Sequence, residues 1–399
     1  MGYNPGEMSP APILSRAFLT AAFGNFLFFT SLAGFFLLPL HLKELGATEG
    51  QLGLIMGCYS GTAIFAQPVV GAWVDRVGGR PFLLSGAVLT GAVALLFAAA
   101  PDALGLFPVL RALQGLAYSV YFVANFTLVV ALVPPERRGQ ALGIFGISGL
   151  TSTAVGPALG EMVARAFGFR GFFLVAAGIA FASALVSAWV PEPPSRRPPG
   201  GATAIRLAGL LAGVVGAPRL PMTLAFAFGL GLGVVFTFFP TYARTLGVER
   251  IGLFAVAYSL AALAVRVAGG RLVDTLGRRP VIIPAMGVQA AGAALLAVLG
   301  LLVQRAHLPV TPLLVLAGLL AGTAHGFLYP ALTALVMDLT PDDRRGRVVG
   351  VFSAFILSGN AAGAMGFGYL VHALGYGWMF AVLAVLLAGG CVLAFRLDR

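Results

Sequence analysis

Apolar segments long enough to cross a lipid bilayer recur along the whole chain. A spanning helix needs about 20 consecutive, mostly apolar residues. The sequence contains twelve such segments: 15–39, 50–73, 81–100, 105–132, 139–165, 170–190, 219–243, 250–272, 280–302, 311–337, 346–373 and 375–395. Only hydrocarbon accommodates so many nearly uncharged helices, so the pattern predicts an all-α integral membrane protein with twelve transmembrane helices.

The composition agrees with this interpretation and excludes an ordinary soluble protein. Apolar residues make up 59% of the chain and charged residues only 10%, against about a quarter in soluble domains. The net charge of +11 could indicate a nucleic-acid partner, but the basic residues lie in short clusters between the apolar segments. We therefore expect the lipid bilayer, and no nucleic acid, as the partner. Cys58 and Cys391 are far apart, so neither a metal site nor a disulfide is expected.

The distribution of basic residues predicts the orientation in the membrane. With the N-terminus inside, the inner segments hold 17 Arg or Lys residues and the outer loops hold 6. Positive charge is enriched on the cytoplasmic side of membrane proteins. We expect both termini in the cytoplasm and a multi-pass protein of the plasma membrane, the inner membrane in a bacterium.

A proline-rich stretch divides the chain almost in half. Residues 191–218 begin Pro-Glu-Pro-Pro-Ser-Arg-Arg-Pro-Pro-Gly-Gly, which cannot continue a helix because proline removes a backbone donor. This stretch predicts a cytoplasmic linker. It separates an N-terminal six-helix bundle, residues 1–190, from a C-terminal six-helix bundle, residues 219–399.

Sequence motifs recur in the two halves in the same order. GAWVDRVGGRP at 71–81 matches GRLVDTLGRRP at 270–280 with an offset of 199 residues, and ERRGQALG at 136–143 matches DRRGRVVG at 343–350 with an offset of 207. The first match pairs Gly71, Asp75, Gly78 and Arg80 with Gly270, Asp274, Gly277 and Arg279. This indicates a duplicated six-helix unit. Two pseudo-symmetric bundles of this kind face a central site near the bilayer midplane, which suits alternating access.

These features resemble the major facilitator superfamily over essentially the whole chain. Its signature between the second and third helices is G-x-x-x-D-R-x-G-R-R, and residues 71–80 match it except at Gly79, where Arg is usual. The motif pattern is most similar to the twelve-helix branch of drug/proton antiporters. The resemblance implies a monomeric secondary transporter of a small molecule that needs no cofactor and is driven by the proton gradient.

The resemblance also implies a conformational latch at the cytoplasmic end. Asp75 would meet the N-terminus of the helix that begins near Gly346, and Asp274 that of the helix near Gly139. A carboxylate there accepts backbone N–H bonds and meets the positive end of the helix dipole. The bundles' flanking arginines would complete the latch: Arg76, Arg80, Arg278 and Arg279. The alternative is that both aspartates simply end helices among solvated charges.

The fourth helix carries a polar stripe at helical spacing. Its members are Arg111, Gln114, Tyr118, Tyr121 and Asn125. The sequence R-A-L-Q-G-L at 111–116 resembles the family's fourth-helix motif, and an arginine inside a membrane normally faces a cavity or a partner. We expect the stripe to line the substrate or proton pathway, together with Asn25 and Phe29 of the first helix. Alternatively, Arg111 extends to the membrane surface.

Histidine and acidic residues give further expectations. His325 lies mid-span in the tenth helix with Tyr329 one turn on, and histidine exchanges protons near neutral pH. It is either part of the pathway or a hydrogen-bonded structural residue. No Asp or Glu lies mid-span in the first, fourth, seventh or tenth helix. Asp338, at the inner end of the tenth helix, could pair with Arg266 of the eighth, and we expect that pair to be structural.

The fifth helix contains G-P-A-L-G, which resembles a motif of proton-coupled antiporters. Gly156, Pro157 and Gly160 would kink the helix and allow close contact with the other half. The second half has Gly363-Ala364 at the corresponding place and lacks the proline. This asymmetry favours efflux, although generic packing of small residues explains the motif as well.

Two functions remain open from the sequence. The first is proton-coupled efflux of an amphipathic or hydrophobic compound. The second is a facilitator or importer of a metabolite such as a sugar or organic anion, which Arg111 could hold. An enzyme is not expected, because no nucleophile–base set, metal cluster or phosphate-binding loop stands out.

Overall fold

The helices of this computed structural model follow the predicted apolar segments closely. Residues 14–133, 137–192, 217–341 and 345–397 are described, without the side chains of residues 139, 268–274 and 345–347. Within these ranges all regular structure is helical. The helices are α1 (Arg16–Ala33), α2 (Leu38–Glu44), α3 (Glu49–Val77), α4 (Arg80–Ala99), α5 (Phe107–Ala131), α6 (Arg138–Ser187), α7 (Arg219–Thr245), α8 (Gly252–Leu276), α9 (Arg279–Gln304), α10 (Val310–Asp338) and α11 (Arg345–Ala394).

Nine helical segments in the described part of the chain are long and apolar enough to cross a membrane. One of them runs without interruption from Arg16 to Glu44, because a 3₁₀ turn at Gly34–Leu37 joins α1 to α2. Helix α8 has a shorter apolar part, Gly252–Val267. Most of the predicted linker, residues 193–216, lies outside the described residues. The chain is thus an all-helical, multi-pass membrane protein.

Two helices are too long for a single crossing. Helices α6 and α11 each contain 50 residues, and a straight helix of that length would measure about 75 Å, against about 30 Å of hydrocarbon. Each is interrupted at one non-helical glycine, Gly168 with φ 69° or Gly375 with φ 80°. Helices α6 and α11 therefore each have two arms, where the sequence predicted two spans. The two arms together are long enough for two crossings.

Glycines with positive φ occur at equivalent places in the two halves. Six glycines among the described residues have positive φ, a conformation that side chains with a Cβ avoid. They form three pairs with the offsets of the sequence repeat: Gly46 and Gly247, Gly78 and Gly277, Gly168 and Gly375. The duplication therefore extends to the backbone turns that end the helices.

Helix pairing also repeats between the halves. In the first half α1 packs on α6, α3 on α5, and α4 on both α5 and α6. In the second half α7 packs on α11, α8 on α10, and α9 on both α10 and α11. Two equivalent contacts join the halves, α3 with α11 and α6 with α8.

Local sequence signals account for several helix starts. Thr48 and Gln51 form a capping box at the start of α3, in which each side chain satisfies a backbone N–H of the other. Helices α4, α5 and α9 each have proline in their first turn, where its missing N–H costs nothing.

The halves meet closely at the end of the bundle where α3 begins, which is the predicted outer end. The backbones of α3 and α11 are nearly in contact there, because a Cβ on Gly53 would overlap the carbonyl oxygen of Ala364. The Phe36 ring packs 5.6 Å from Phe236 of α7 and 6.3 Å from Phe254 of α8, measured between ring centroids. These contacts close the predicted outer end.

Candidate substrate-binding site

The first half holds a buried arginine beside an aromatic ring. Arg111 of α5 is only 7% exposed, and its guanidinium carbon lies 4.8 Å from the centroid of the Tyr59 ring of α3. It donates one hydrogen bond of 2.5 Å to Gln114 Oε1, and its Nε is buried without a partner. This burial favours a role inside the protein over extension to the membrane surface.

Further aromatic rings extend the contact between Arg111 and Tyr59. The Tyr118 ring lies 5.3 Å from that of Tyr59 and 6.1 Å from that of Phe29, in centroid distances. Phe29 comes from α1, Tyr59 from α3 and Tyr118 from α5. The structure thus brings the predicted residues Phe29, Tyr118 and Arg111 into one cluster.

The second half holds a histidine in an aromatic setting. The Tyr258 hydroxyl of α8 and His325 Nδ1 of α10 share a hydrogen bond of 2.5 Å. Tyr329 stacks on His325 at 6.2 Å with 16° between the ring planes, and Phe228 of α7 meets it edge-on at 5.3 Å. His325 is therefore hydrogen-bonded, as the structural interpretation requires, and it also stands beside the predicted pathway residue Tyr329.

Arg266 of α8 does not form the predicted ion pair with Asp338. Its guanidinium carbon lies 5.8 Å from the centroid of the Tyr329 ring. Asp338 accepts instead from Arg278 Nε at 2.9 Å. The pair prediction was wrong because Arg278 lies at the same end of the bundle as Asp338, whereas Arg266 is three turns further inside α8.

The predicted stripe is divided between a cavity face and the interior of the first half. Asn125 Nδ2 donates to Asn25 Oδ1 at 2.7 Å, and Asn25 Nδ2 donates to Ser148 Oγ at 2.7 Å. These bonds tie α1, α5 and α6 together. Tyr121 is fully buried and stacks on Phe28 at 3.6 Å. Tyr121 therefore packs in the core of its own half rather than lining a cavity.

The glycines of the G-P-A-L-G motif pack within their own half, whereas the backbone of its Ala158 lies against the other half, where a Cβ on Gly252 of α8 would be 3.3 Å from Ala158 Cα. A Cβ on Gly156 would lie 2.7 Å from the carbonyl oxygen of Thr30 in α1, and one on Gly160 would lie 3.0 Å from the Phe172 ring. Helix α6 continues through Pro157, and its non-helical residue is Gly168. The glycines thus allow α1 and α6 to approach closely.

Three of the four arginines of the predicted latch make bonds within their own halves. Arg80 donates to the carbonyl oxygen of Ala188 at 2.5 Å, and Arg279 donates to that of Phe395 at 2.9 Å, an equivalent contact in the repeat. Arg278 pairs with Asp338, as described above. The predicted partners of Asp75 and Asp274 include residues outside the described side chains, so the latch itself stays a prediction, as does the role of Gly71, Arg76 and Gly270.

A carboxylate at a helix N-terminus does join the halves, but at the predicted outer end. Glu161 of α6 accepts from the backbone N–H of Ile251 at 3.0 Å and from that of Gly252 at 2.8 Å. Arg165 bonds both Glu161 and the carbonyl oxygen of Glu249. Nearby, the Tyr376 hydroxyl donates to Glu49 at 2.9 Å across the halves. This is the physical interaction that the sequence predicted for Asp75, made by a different residue.

An apolar cavity of about 860 Å³ opens beside the first cluster. It lies between α3, α4 and α5, and its walls include Cys58, Phe65, Trp73 and Leu116. Met365 of α11 closes one side. The Phe65 side chain is 78% exposed, which in a membrane protein means exposure to lipid. The cavity can therefore admit an apolar group from the membrane.

Comparison with known proteins identifies the family. The family model described as Major Facilitator Superfamily matches residues 18–306 and again residues 222–399. The chain belongs to this superfamily. It is a transporter rather than an enzyme, because members of the superfamily carry solutes across membranes.

Several curated relatives carry the name "Multidrug resistance protein MdtG". The protein of that name from Salmonella choleraesuis is 27% identical over 365 residues, covering 87% of this chain and 86% of the relative. That from Salmonella arizonae is 27% identical over 361 residues, with the same coverage.

Solved structures of other transporters share the fold of this superfamily member. The crystal structure of the nucleoside transporter NupG has a TM-score of 0.72 at 16% identity and covers 96% of this chain and 98% of its own. That of the human organic anion transporter MFSD10 has a TM-score of 0.70 at 18% identity, covering 95% and 99%. At these identities the likeness concerns the fold alone.

Sequence reasoning missed three residues of this transporter's central clusters. Tyr59 and Tyr258 lie at their centres, and Phe228 contacts His325. A signal for the two tyrosines was present, because Tyr59-Ser60 and Tyr258-Ser259 are the same dipeptide at the repeat offset of 199. Ser60 also donates to Asn360 Oδ1 at 2.8 Å, across the halves.

Proposed function

We propose that this protein is a twelve-span secondary transporter that exports an amphipathic or hydrophobic compound in exchange for protons. It acts as a monomer in a bacterial inner membrane, with both termini in the cytoplasm and no cofactor. Two six-helix bundles rock about the central clusters and expose them alternately to the two sides.

The observation that carries this proposal is the arrangement of contacts between the halves. The equivalent pairs α3–α11 and α6–α8 join the halves, and most of the polar bonds between halves that involve described residues lie at the predicted outer end. The central clusters contain seven aromatic rings, those of Phe29, Tyr59, Tyr118, Phe228, Tyr258, His325 and Tyr329. An aromatic site behind a closed outer end suits a compound that enters from the cytoplasm or the inner leaflet.

The relatives named as multidrug resistance proteins support the direction of transport. They match along most of this chain and most of their own length. The apolar cavity beside Tyr59 supports an amphipathic substrate, since it offers a wall of side chains to a hydrophobic group. His325, the titratable group hydrogen-bonded to Tyr258, is the candidate for proton exchange.

A facilitator or importer is the second candidate. Arg111 favours it, because a buried guanidinium that donates to one amide oxygen retains further donors for an anionic metabolite.

Transport in inside-out vesicles distinguishes the two candidates. An amphipathic fluorescent compound is added outside, and the lumen, which corresponds to the cell exterior, is acidified. Proton-coupled export predicts accumulation of the compound in the lumen and its release when an uncoupler collapses the gradient. Proton-coupled import predicts the opposite movement. Transport that ignores the gradient would rule out both forms of coupling and leave a facilitator.

Glu161 tests whether the outer end opens. We expect Glu161→Gln to weaken its closure by about 1 kcal/mol, which changes the ratio of conformations roughly fivefold. The measurement is labelling of Ala364→Cys by an impermeant maleimide, in a background with Cys58 and Cys391 replaced by serine. Glu249→Gln, the same change at an exposed neighbouring side chain, is the control. Equal labelling of both variants would contradict alternating opening at this end.

A further inference from the structure

Arg266 lies at the boundary between the two halves. Its terminal nitrogen lies against Gly146 of α6, where a Cβ would overlap the guanidinium. On its other side the guanidinium faces the Tyr329 ring at 5.8 Å. The glycine thus provides the space that a positively charged side chain occupies between α6 and α8, and α6–α8 is one of the two main contacts between the halves.

The hydrogen-bonding capacity of Arg266 is unused. Its Nε is buried without a partner, and none of the hydrogen bonds made by described residues involves its side chain. A guanidinium has five N–H donors in a planar fork. Arg266 as a whole is only half-buried, so a ligand can reach its terminal nitrogens and supply an acceptor inside the membrane, where an unpaired charge is costly.

No carboxylate among the described side chains pairs with Arg266. Asp338 is engaged by Arg278 at 2.9 Å, and among the described side chains none of the ion pairs includes Arg266. Its described surroundings are aromatic: Tyr329 faces it, His325 stacks on Tyr329, and Tyr258 contacts His325. A negatively charged ligand would therefore meet one cation and no repelling carboxylate.

The aromatic side chains around Arg266 indicate the kind of molecule that carries the anionic group. His325 stacks on Tyr329 and meets Phe228 edge-on at 5.3 Å. Tyr258 packs against Phe236 of α7 at 5.1 Å. The exposed edges and faces of such a ring cluster are suited to contact an aromatic body, and a planar guanidinium binds a carboxylate or sulfonate with two parallel hydrogen bonds.

We propose that Arg266, with Tyr258, His325 and Tyr329, forms a binding site for an anionic group on an aromatic body, so that the transported compound is an amphipathic organic anion. This inference rests on the proposed transport function and names its substrate class. Binding at Arg266 places the ligand against α6 of the other half, so an occupied site links the ligand directly to the contact that alternating access rearranges.

Three probes with the same ring system test the inference. They are 2-naphthoate, 2-naphthylmethylammonium and 2-naphthylmethanol, which are anionic, cationic and neutral. Binding is measured as the rise in melting temperature of the purified protein, because a ligand of the native state stabilises it by mass action. Transport is measured as counterflow in proteoliposomes. We expect 2-naphthoate to be preferred in both assays.

Substitutions assign the preference to the arginine. We expect Arg266→Gln to raise the concentration of 2-naphthoate needed for half-maximal binding about tenfold or more, because charge-assisted bidentate bonds are lost. Arg266→Lys keeps the charge but not the fork, and should bind with intermediate affinity. Arg305→Gln, the same change at an exposed arginine, is the control and should bind like the wild type.

The outcomes separate this inference from the transport function. If the wild-type protein moves the cation or the alcohol as well as the anion, the anion site is wrong and the transport function stands. Unchanged anion binding by both Arg266 variants would also overturn the site. If none of the three probes undergoes counterflow, both proposals lose their support.

Discussion

The two halves share one close helix crossing but place different chemistry around it. In the first half Gly115 of α5 lies against the carbonyl oxygen of Tyr59 in α3, and in the second Gly322 of α10 lies against that of Tyr258 in α8. The two glycines are related by the repeat offset of 207 residues and the two tyrosines by 199. At each crossing a Cβ would overlap the carbonyl oxygen, so the backbone contact depends on glycine.

The side chains around the crossing differ in charge and in proton chemistry. The repeat position of Tyr118 is occupied by His325, so a ring contact in one half becomes a hydrogen bond to Tyr258 in the other. The arginines are not equivalent either: the first half uses Arg111 of α5 and the second Arg266 of α8. A symmetric scaffold therefore supports an asymmetric site.

The largest effect is expected where the halves are alike. We predict that Gly115→Ala and Gly322→Ala each force a helix pair apart and destabilise the fold by about 1–3 kcal/mol or more, because the obstructing atom is a backbone oxygen that cannot move aside. Both variants should give less monodisperse protein on size-exclusion chromatography and a lower melting temperature.

Gly366→Ala is the matched control for this prediction. It is also a helical glycine, but no atom lies within 4 Å of an added Cβ. Alanine there should be neutral or slightly stabilising, because glycine costs about 0.5–1 kcal/mol relative to alanine within a helix. A fold that tolerates Gly322→Ala but not Gly115→Ala would show that the two crossings are not mechanically equivalent.

The sequence allowed the fold to be predicted because its signals are local or periodic. The length of the apolar segments predicted the helices, and proline and glycine residues predicted their ends to within a few residues. The predicted segment breaks near residues 168 and 375 fall at the non-helical glycines Gly168 and Gly375, so α6 and α11 each consist of two helical arms, as the four predicted segments require. The number of crossings, the division into bundles and the orientation stay predictions.

The site was less predictable because its contacts join helices distant in sequence. Helical spacing placed Arg111, Tyr118 and Tyr121 on one face, yet a face 80° wide includes both cavity and core positions, and Tyr121 packs against Phe28. Charge complementarity suggested a partner for Arg266 but not which basic residue is nearest to Asp338. Side-chain partners of this kind follow from three-dimensional packing rather than from spacing.

The next effect concerns the hydrogen bond between Tyr258 and His325, which distinguishes the second half. Tyr258→Phe removes the hydrogen bond to His325 while keeping the ring, and we expect transport to fall by up to about tenfold, the equivalent of a typical hydrogen bond of 0.5–1.5 kcal/mol. The pH dependence of transport should shift as well, because the histidine loses its partner. Initial rates measured over a range of pH test both expectations.

Tyr59→Phe is the control from the other half. The described side-chain contacts of Tyr59 are made by its ring, with Arg111 and Tyr118, so loss of its hydroxyl should leave both the rate and the pH profile nearly unchanged. If the two variants behaved alike, the hydrogen bond between Tyr258 and His325 would not set the second half apart.

The smallest effect is expected at the ion pair that replaced the predicted one. Asp338 is 54% exposed in its pair with Arg278, and exposed pairs contribute about 0.2–1 kcal/mol. Asp338→Asn should therefore lower the melting temperature slightly, by an amount that shrinks as salt screens the charges, and should leave transport intact. A strong loss of transport in Asp338→Asn would mean that this carboxylate reaches Arg266 in another conformation. In that case Asp338 would serve as the counter-ion of Arg266 in that conformation. Arg266 would then lack a carboxylate partner only in the conformation whose outer end is closed.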